Sequence, residues 1–503
     1  MTNQGDQPPT SPQEGNSTPK GRDFRSLDRS LLHGVAWTAG VKWASLVVTW
    51  AATLIVARTL TPDDYGLVAM ATVFTSLVEM LSDFGLGTAI VKHRDLTTKQ
   101  IAQINAFCVL LGLAGWMLTC LAAFPLSLFF QTPALFAVVV ILGSNFLITA
   151  FRIVPLSLLQ RDMQFRSAAI NDGSQAIVLS VAMVTLALLG FRYWALVLGI
   201  LLSGLLTTLL ACRLRPTPLA WPRYQEIKEA ITFGSHLIAL RFANYVCTSA
   251  DQFIAGRVLG QRALGGYSFA MTIATIPLDK LTSLVMRVLP SVISEVQDDS
   301  AALRRYVLVF TEGLSIVTVP AAVGLALVAG DFVHLALGEQ WLIAIVPLQI
   351  LGISVAYRSI TPIIPTVAVI IGLSRESMIV SVVAAIVLPI AFLIGSGWGI
   401  GGVAAVWLIV FPIVVIPYYT MVLRRIHMRA NEYLRALWPA ASSTALMAAA
   451  VYGLHQYLDE WTVALRLPAE ILAGVVSYAV FLTAFHRKRV LALKDVYRLM
   501  RSK

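Results

Sequence analysis

Fourteen long apolar runs follow one another between residues 34 and 485 of this 503-residue chain. A helix rises 1.5 Å per residue, so about 20 such residues cross the ~30 Å hydrocarbon core of a bilayer. The runs are continuous and do not alternate every second residue, so helices are expected and a barrel is not. The expected fold is therefore an all-α polytopic membrane protein with 14 transmembrane helices. Composition agrees: only 13% of the residues are charged, against about 25% in soluble domains.

The distribution of Lys and Arg orients the chain. With the N-terminus placed in the cytoplasm, 27 of the 38 basic residues fall on the cytoplasmic side, 5 on the other side and 6 within spans. That bias predicts both termini inside, in a multi-pass plasma (inner) membrane protein. It also explains the net charge of +11 without a nucleic-acid partner. Cys108, Cys120, Cys212 and Cys247 all lie in apolar runs. Neither a disulfide framework nor a metal site is expected from them, and no cofactor is implied.

The runs repeat. Lys42, Ser45, Thr49 and Thr53 on the first map onto Arg241, Asn244, Thr248 and Gln252 on the seventh, at a constant offset of 199. Spacings of three and four residues put each set on one helix face. A bilayer penalises such groups, so both faces are expected to look into protein or water. The offset extends to 54–66 and 253–265, where Arg58 falls on Arg257, Leu60 on Leu259 and Gly66 on Gly265. Six spans per copy make the repeat parallel, with a pseudo-two-fold along the membrane normal.

The expected organisation is a disordered cytoplasmic tail at 1–20, an interfacial basic helix at 21–33 and a six-helix lobe at 34–212. A cytoplasmic linker at 213–230 leads to a second six-helix lobe at 231–422. Two further helices with their preceding loop occupy 423–485, and a basic cytoplasmic tail helix 486–503. The longest outward loops are expected at Asp331–Gln340 and Asp459–Arg466, too short for an extramembrane catalytic domain.

Lys42 and Arg241 are the leading candidates to line a cationic cavity between the lobes, with the hydroxyl and amide groups of the stripes around them. Arg152, deep in its span, is a third candidate for binding; pairing with Glu79, Asp83 or Asp172 is the alternative. Arg58 and Arg257 defy the charge bias on the outer side, and either cap helix carbonyls or form an outer gate. Arg287 and Arg358 are expected near the cytoplasmic boundary, where snorkelling accounts for them. Glu79, Asp83 and Asp251 are intramembrane acids, hence candidates for ion coupling or for pairing with a buried cation.

Several stretches carry a resemblance: ARTLTPDDYGLVAMA (57–71), LLQRDMQFR (158–166), DQFIAGRVLGQRALGGYSFAM (251–271), LPSVISEVQDDSAALRRYV (289–307) and LGEQWLIAIVPLQILGI (337–353). In this order along fourteen spans, they resemble the oligosaccharide flippases of the polysaccharide transporter family, in the multidrug/oligosaccharidyl-lipid/polysaccharide exporter superfamily. The resemblance implies two lobes alternating access, and movement of a polyprenyl-pyrophosphate-linked oligosaccharide from the inner to the outer leaflet. Expected partners are that lipid-linked substrate, membrane lipids, and a polysaccharide polymerase with its co-polymerase. The nearest alternative is a cation-coupled drug exporter of the same superfamily, which should favour an acid in the first helix where Lys42 stands. A membrane-embedded polymerase or ligase is disfavoured by the short outer loops, and a scramblase should tolerate loss of Lys42 and Arg241.

Overall fold

The computed structural model describes residues 47–502, except 84–85, 93–94, 224, 226–227, 229–241 and 243–244; the side chains of 81–83, 165, 277, 488 and 490–502 also lie outside the description. Lys42, Ser45, Arg241 and Asn244, the side chain of Asp83, and the expected tail and interfacial helix at 1–33 therefore fall outside the described residues. Among the described residues all regular secondary structure is helical.

Helix α1 (Val47–Thr59) precedes α2 (Pro62–Asp83), α3 (Leu86–Lys92), α4 (Thr98–Phe129), α5 (Leu135–Gly143), α6 (Asn145–Arg161), α7 (Phe165–Leu188) and α8 (Tyr193–Leu214). Helix α9 (245–254) leads through a π-helical turn, Ala255–Leu259, into α10 (Gln261–Glu295). Then come α11 (Ser300–Leu327), α12 (Ala329–Phe332), α13 (Ile345–Arg358), α14 (Ile363–Ile370), α15 (Ser374–Gly395), α16 (Gly399–Arg425), α17 (Ala430–Tyr457) and α18 (Val463–Ser502).

Among the described residues, nine helical stretches are long and apolar enough to cross a membrane, and a tenth is α10, bent by 46° near residue 277. The stretch Ser374–Arg425 has 52 residues, more than twice the length one crossing needs. It doubles back at a 3-10 turn, Ser396–Trp398, before Gly399 at φ 71°. The chain is a multi-pass membrane protein. Its outer surface is correspondingly apolar, with Leu121 and Ile413 among the large side chains left open.

Local chemistry sets the helix starts. Thr97 caps α4, accepting from the Gln100 N–H while the Gln100 side chain accepts from the Thr97 N–H. Asp299 caps α11 through Ala301 and Ala302. At the head of α2, Asp64 accepts from the Thr61 N–H and hydroxyl at 3.0 and 2.8 Å. These satisfy donors that a helix start leaves open.

Helices α2 to α8 pack mainly on one another, as do α10 to α16, while α17 and α18 pack together and against α11. The N-terminal and C-terminal groups meet chiefly where α2 crosses α10. Helix α18 is held to α11 by Tyr478, which donates to the Ile316 carbonyl at 2.6 Å, and by an Arg489–Glu312 ion pair at 3.6 Å. It breaks at His486, the start of the expected tail helix.

The expected outward loop at Asp331–Gln340 is not a loop. It is coiled into the end of α12, a π-helical turn at Val333–Leu337 and a 3-10 turn from Glu339 to Ala344. Asp331, Val333, Leu337 and Trp341 are buried there. Its polar residues look like loop residues in sequence, yet the segment wedges between α1 and the C-terminal group and so must satisfy its own backbone.

Candidate functional site

The α2–α10 crossing is built on two glycines related by the repeat. A Cβ on Gly66 would collide with the Gln261 carbonyl, and a Cβ on Gly265 with the Pro62 carbonyl. Gln261 and Pro62 are themselves 199 residues apart. The contact is thus reciprocal, as in a two-fold interface, and only residues without side chains permit so close an approach.

Each group also gives side chains to the other's core. Trp50, Leu54, Ala57 and Tyr65 enter the C-terminal core, where Tyr65 meets Phe269 and Trp341 edge-on at 5.3 and 5.2 Å between centroids. Phe253, Ala255 and Leu264 enter the N-terminal core, with Phe253 stacked on Phe130 at 6.2 Å. Leu264 is the repeat counterpart of Tyr65, and Phe253 that of Leu54.

Polar contacts finish the seam. The last turn of α1 leaves carbonyls without helical partners, and donors from the other group reach them. Trp341 Nε1 donates to the Ala57 carbonyl at 2.7 Å and Gln340 Nε2 to the Leu60 carbonyl at 3.2 Å. In return, Gln261 Nε2 donates to the Asp63 carbonyl at 2.6 Å. Arg58 Nη2 donates across the seam to the Leu335 carbonyl at 2.8 Å, and the Arg257 guanidinium lies 5.4 Å from the centroid of Phe129. Arg58 thus donates to a carbonyl of the helical turn Val333–Leu337 in the other group, whereas the contact of Arg257 is with a ring.

The described stripe residues lie on the helices that join the groups. On α1, Thr53 donates its hydroxyl to the Thr49 carbonyl at 2.8 Å. On α9, Thr248 donates to the Tyr245 carbonyl at 3.3 Å and is exposed, while Gln252 is half-buried. Both hydroxyls donate to carbonyls of their own helices. Helix α9 touches both groups: Tyr245 donates to the Val73 carbonyl of α2, and Cys247 to the Ser381 carbonyl of α15 at 3.4 Å.

Arg152 borders a cavity of about 530 Å³ inside the N-terminal group, with Glu79, Thr88, Thr149, Ser157 and Gln160 in its walls. Its Nη1 donates to Gln175 Oε1 at 3.1 Å and Thr207 Oγ1 at 3.2 Å. Asp172 and Glu79 lie within electrostatic reach. Glu79 therefore lines the same chamber as Arg152.

Asp251 is fully buried. It accepts from Tyr267 Oη at 2.7 Å, Trp407 Nε1 at 2.9 Å and the Gln252 N–H at 2.8 Å. Neutral donors therefore hold it, where a buried cation was the expected partner. The nearest cation of this network, Arg358, lies over the Trp407 ring, 3.9 Å from the centroid. This corrects the snorkelling expectation. Helix α13 ends at Arg358, but the apolar stretch runs on from Glu339 to Ile370, so Arg358 sits well inside a span.

Sequence reasoning passed over Tyr267, Trp407, Gln340 and Trp341. It also missed that Arg358 matches Arg152. Beyond the second span of each copy the offset grows from 199 to 206, which aligns AFRIV (150–154) with AYRSI (356–360). Phe129 and Leu335, the residues met by Arg257 and Arg58, also differ by 206.

The sequence matches the polysaccharide biosynthesis protein family over residues 55–346, more than half of the chain. The chain belongs to that family. Its matched region contains both corners of the seam, Arg152, Asp251 and Trp341. Among its relatives, the lipopolysaccharide biosynthesis protein WzxC of Escherichia coli K12 is 26% identical over 67% of this chain and 69% of its own. The succinoglycan biosynthesis transport protein ExoT of Rhizobium meliloti is 25% identical over 93% of this chain and 96% of its own. The fold is similar to the lipid II flippase MurJ in its inward closed conformation, with a TM-score of 0.73 at 14% identity, covering 90% of this chain and all of MurJ.

Proposed function

We propose that this protein is a transporter, not an enzyme, that moves a polyprenyl-pyrophosphate-linked oligosaccharide from the cytoplasmic to the outer leaflet of the plasma membrane for exopolysaccharide or lipopolysaccharide synthesis. Fourteen crossing helices form two six-helix lobes, 34–212 and 231–422, and a C-terminal pair, with both termini cytoplasmic. The lobes rock against each other, and the Arg58 end, closed here, is the outer side.

The observation that carries this reading is the reciprocal seam between two copies of one repeat. It joins the copies at one end through contacts that can part together, as alternating access requires. The family, and relatives named for transport in polysaccharide synthesis, supply the cargo class. An anionic pyrophosphate head cannot cross hydrocarbon unaided, and cations in a wet cavity compensate it. Lys42 and Arg241 take that role, with Ser45, Thr49, Thr53, Asn244, Thr248 and Gln252 toward the sugar hydroxyls and Arg152 at the side chamber. Arg58 and Arg257 belong to the outer gate, and Glu79, Asp83 and Asp251 are our candidates for cation coupling. A polymerase and its co-polymerase receive the cargo outside.

The test is flipping of a fluorescent lipid-linked oligosaccharide by reconstituted protein. Changing both Lys42 and Arg241 to Ala should abolish it while insertion into the membrane is unchanged. Wild-type flipping by that double variant would refute the cavity, and flipping of any phospholipid at the same rate would point to a scramblase.

A further inference from the structure

Trp407 is a fixed platform. Its indole N–H is held by Asp251 at 2.9 Å and lies 3.1 Å from Tyr267 Oη. Its ring packs against Phe392 and Phe411, with centroids 5.3 and 5.5 Å away. Asp251, Tyr267 and Trp407 are all buried, and the ring is fixed at its N–H and flanked by two phenyl rings.

A guanidinium laid on an aromatic face is positioned in advance, yet it keeps five N–H donors around its edge. Among the described residues, the hydrogen-bond contact of Arg358 is the Met271 thioether at 3.8 Å, a weak acceptor. Asp251 and Asp279 act on it only as charges within electrostatic reach, and Asp251 is already served by three donors. The residue is half-buried, so its unspent donors are reachable. Its repeat counterpart differs: Arg152 is engaged by an amide and a hydroxyl. The same position is thus tied down in one copy and left receptive in the other.

We propose that Arg358, stacked on Trp407, receives an anionic oxygen group of the cargo, a phosphate or a sugar carboxylate. This rests on the transport reading above and adds a contact in the C-terminal group, apart from Lys42 and Arg241. A planar fork on a rigid support suits two-point recognition of such a group, which a lysine cannot reproduce.

The experiment uses the full chain in lipid nanodiscs and calorimetry with three probes: inorganic pyrophosphate, glucuronate and glucose. Arg358→Gln should weaken binding of one of the anions by about tenfold or more and leave glucose unchanged. Loss confined to pyrophosphate identifies the lipid linkage, and loss confined to glucuronate an acidic sugar. Arg358→Lys keeps the charge near Asp251, so it serves if the Gln variant fails to fold. It should restore only part of the affinity. Wild-type protein that binds neither anion, or Gln and Lys variants that bind both as wild type does, would overturn the proposal. So would a lower melting temperature with unchanged affinity, which marks Arg358 as a structural counterion to Asp251. None of those outcomes touches the flipping assay of the Lys42 and Arg241 double variant, which decides the transport reading separately.

Discussion

The corner at 54–66 and the corner at 253–265 do the same work, whereas the interiors behind them do not. Both corners carry the glycine of the close crossing and an arginine that reaches across the seam. Each lends apolar side chains to the opposite core. One helix turn deeper the likeness ends. Asp251 has Ala52 as its counterpart, and Tyr267 has Val68, so the buried acid and one of its donors exist in one copy only. The parts that close the molecule are duplicated, and the buried Asp251 network behind one of them is not. Rigid-body rocking needs two compatible halves at the seam, while a cargo with a charged end and a sugar end has no two-fold symmetry to match.

Substitutions can test that division. The largest effect is expected at Gly66→Leu and, equally, at Gly265→Leu. Overpacking against backbone costs about 3 kcal/mol, which shifts the balance between a closed and an open seam roughly a hundredfold. Flipping should fall by a similar factor, and a thiol probe should reach a cysteine introduced at Leu335 of the seam from outside. A large difference between the two variants would break the reciprocity. Next comes Asp251→Asn, which cannot accept from all its donors as a carboxylate does and should cost about 1–3 kcal/mol of stability, seen in denaturant or thermal unfolding. Asparagine at Ala52 on the other copy should find no equivalent partners. Trp341→Phe keeps the ring against Tyr65 but loses the bond to the Ala57 carbonyl, about 1 kcal/mol. It should open the seam several-fold without altering cargo affinity. The smallest effects, about twofold each, are expected for Arg58→Ala and Arg257→Ala, whose side chains are solvated.

The equivalence of the two corners was readable in the sequence because the 199 offset holds there without gaps, Gly66 with Gly265 and Arg58 with Arg257; that they pack on each other was not. Which way the arginines point was not, since Leu335 and Phe129 sit beyond the shift to 206. The partners of Asp251 were hidden for a different reason. Tyr267 and Trp407 lie 16 and 156 residues away, and a tryptophan in an apolar run looks like packing until its N–H is seen to be spent. Arg358 was misplaced because snorkelling accounts for an arginine in an apolar run until its stack on Trp407 is seen. Asp331–Gln340 was misread because its polar residues face a protein wedge: Asp331, for one, is bound by Arg466 Nε and Nη2, both at 2.5 Å.

The most direct measurement fixes the seam shut. In a background with the four cysteines replaced by serine, Arg58 and Leu335 become a cysteine pair, and separately Phe129 and Arg257. Each pair is joined by a short thiol-specific linker in the reconstituted protein. Either linkage should stop flipping of the lipid-linked oligosaccharide, and cleaving the linker should restore it. Undiminished flipping with the linker in place would contradict a transport cycle that opens this end.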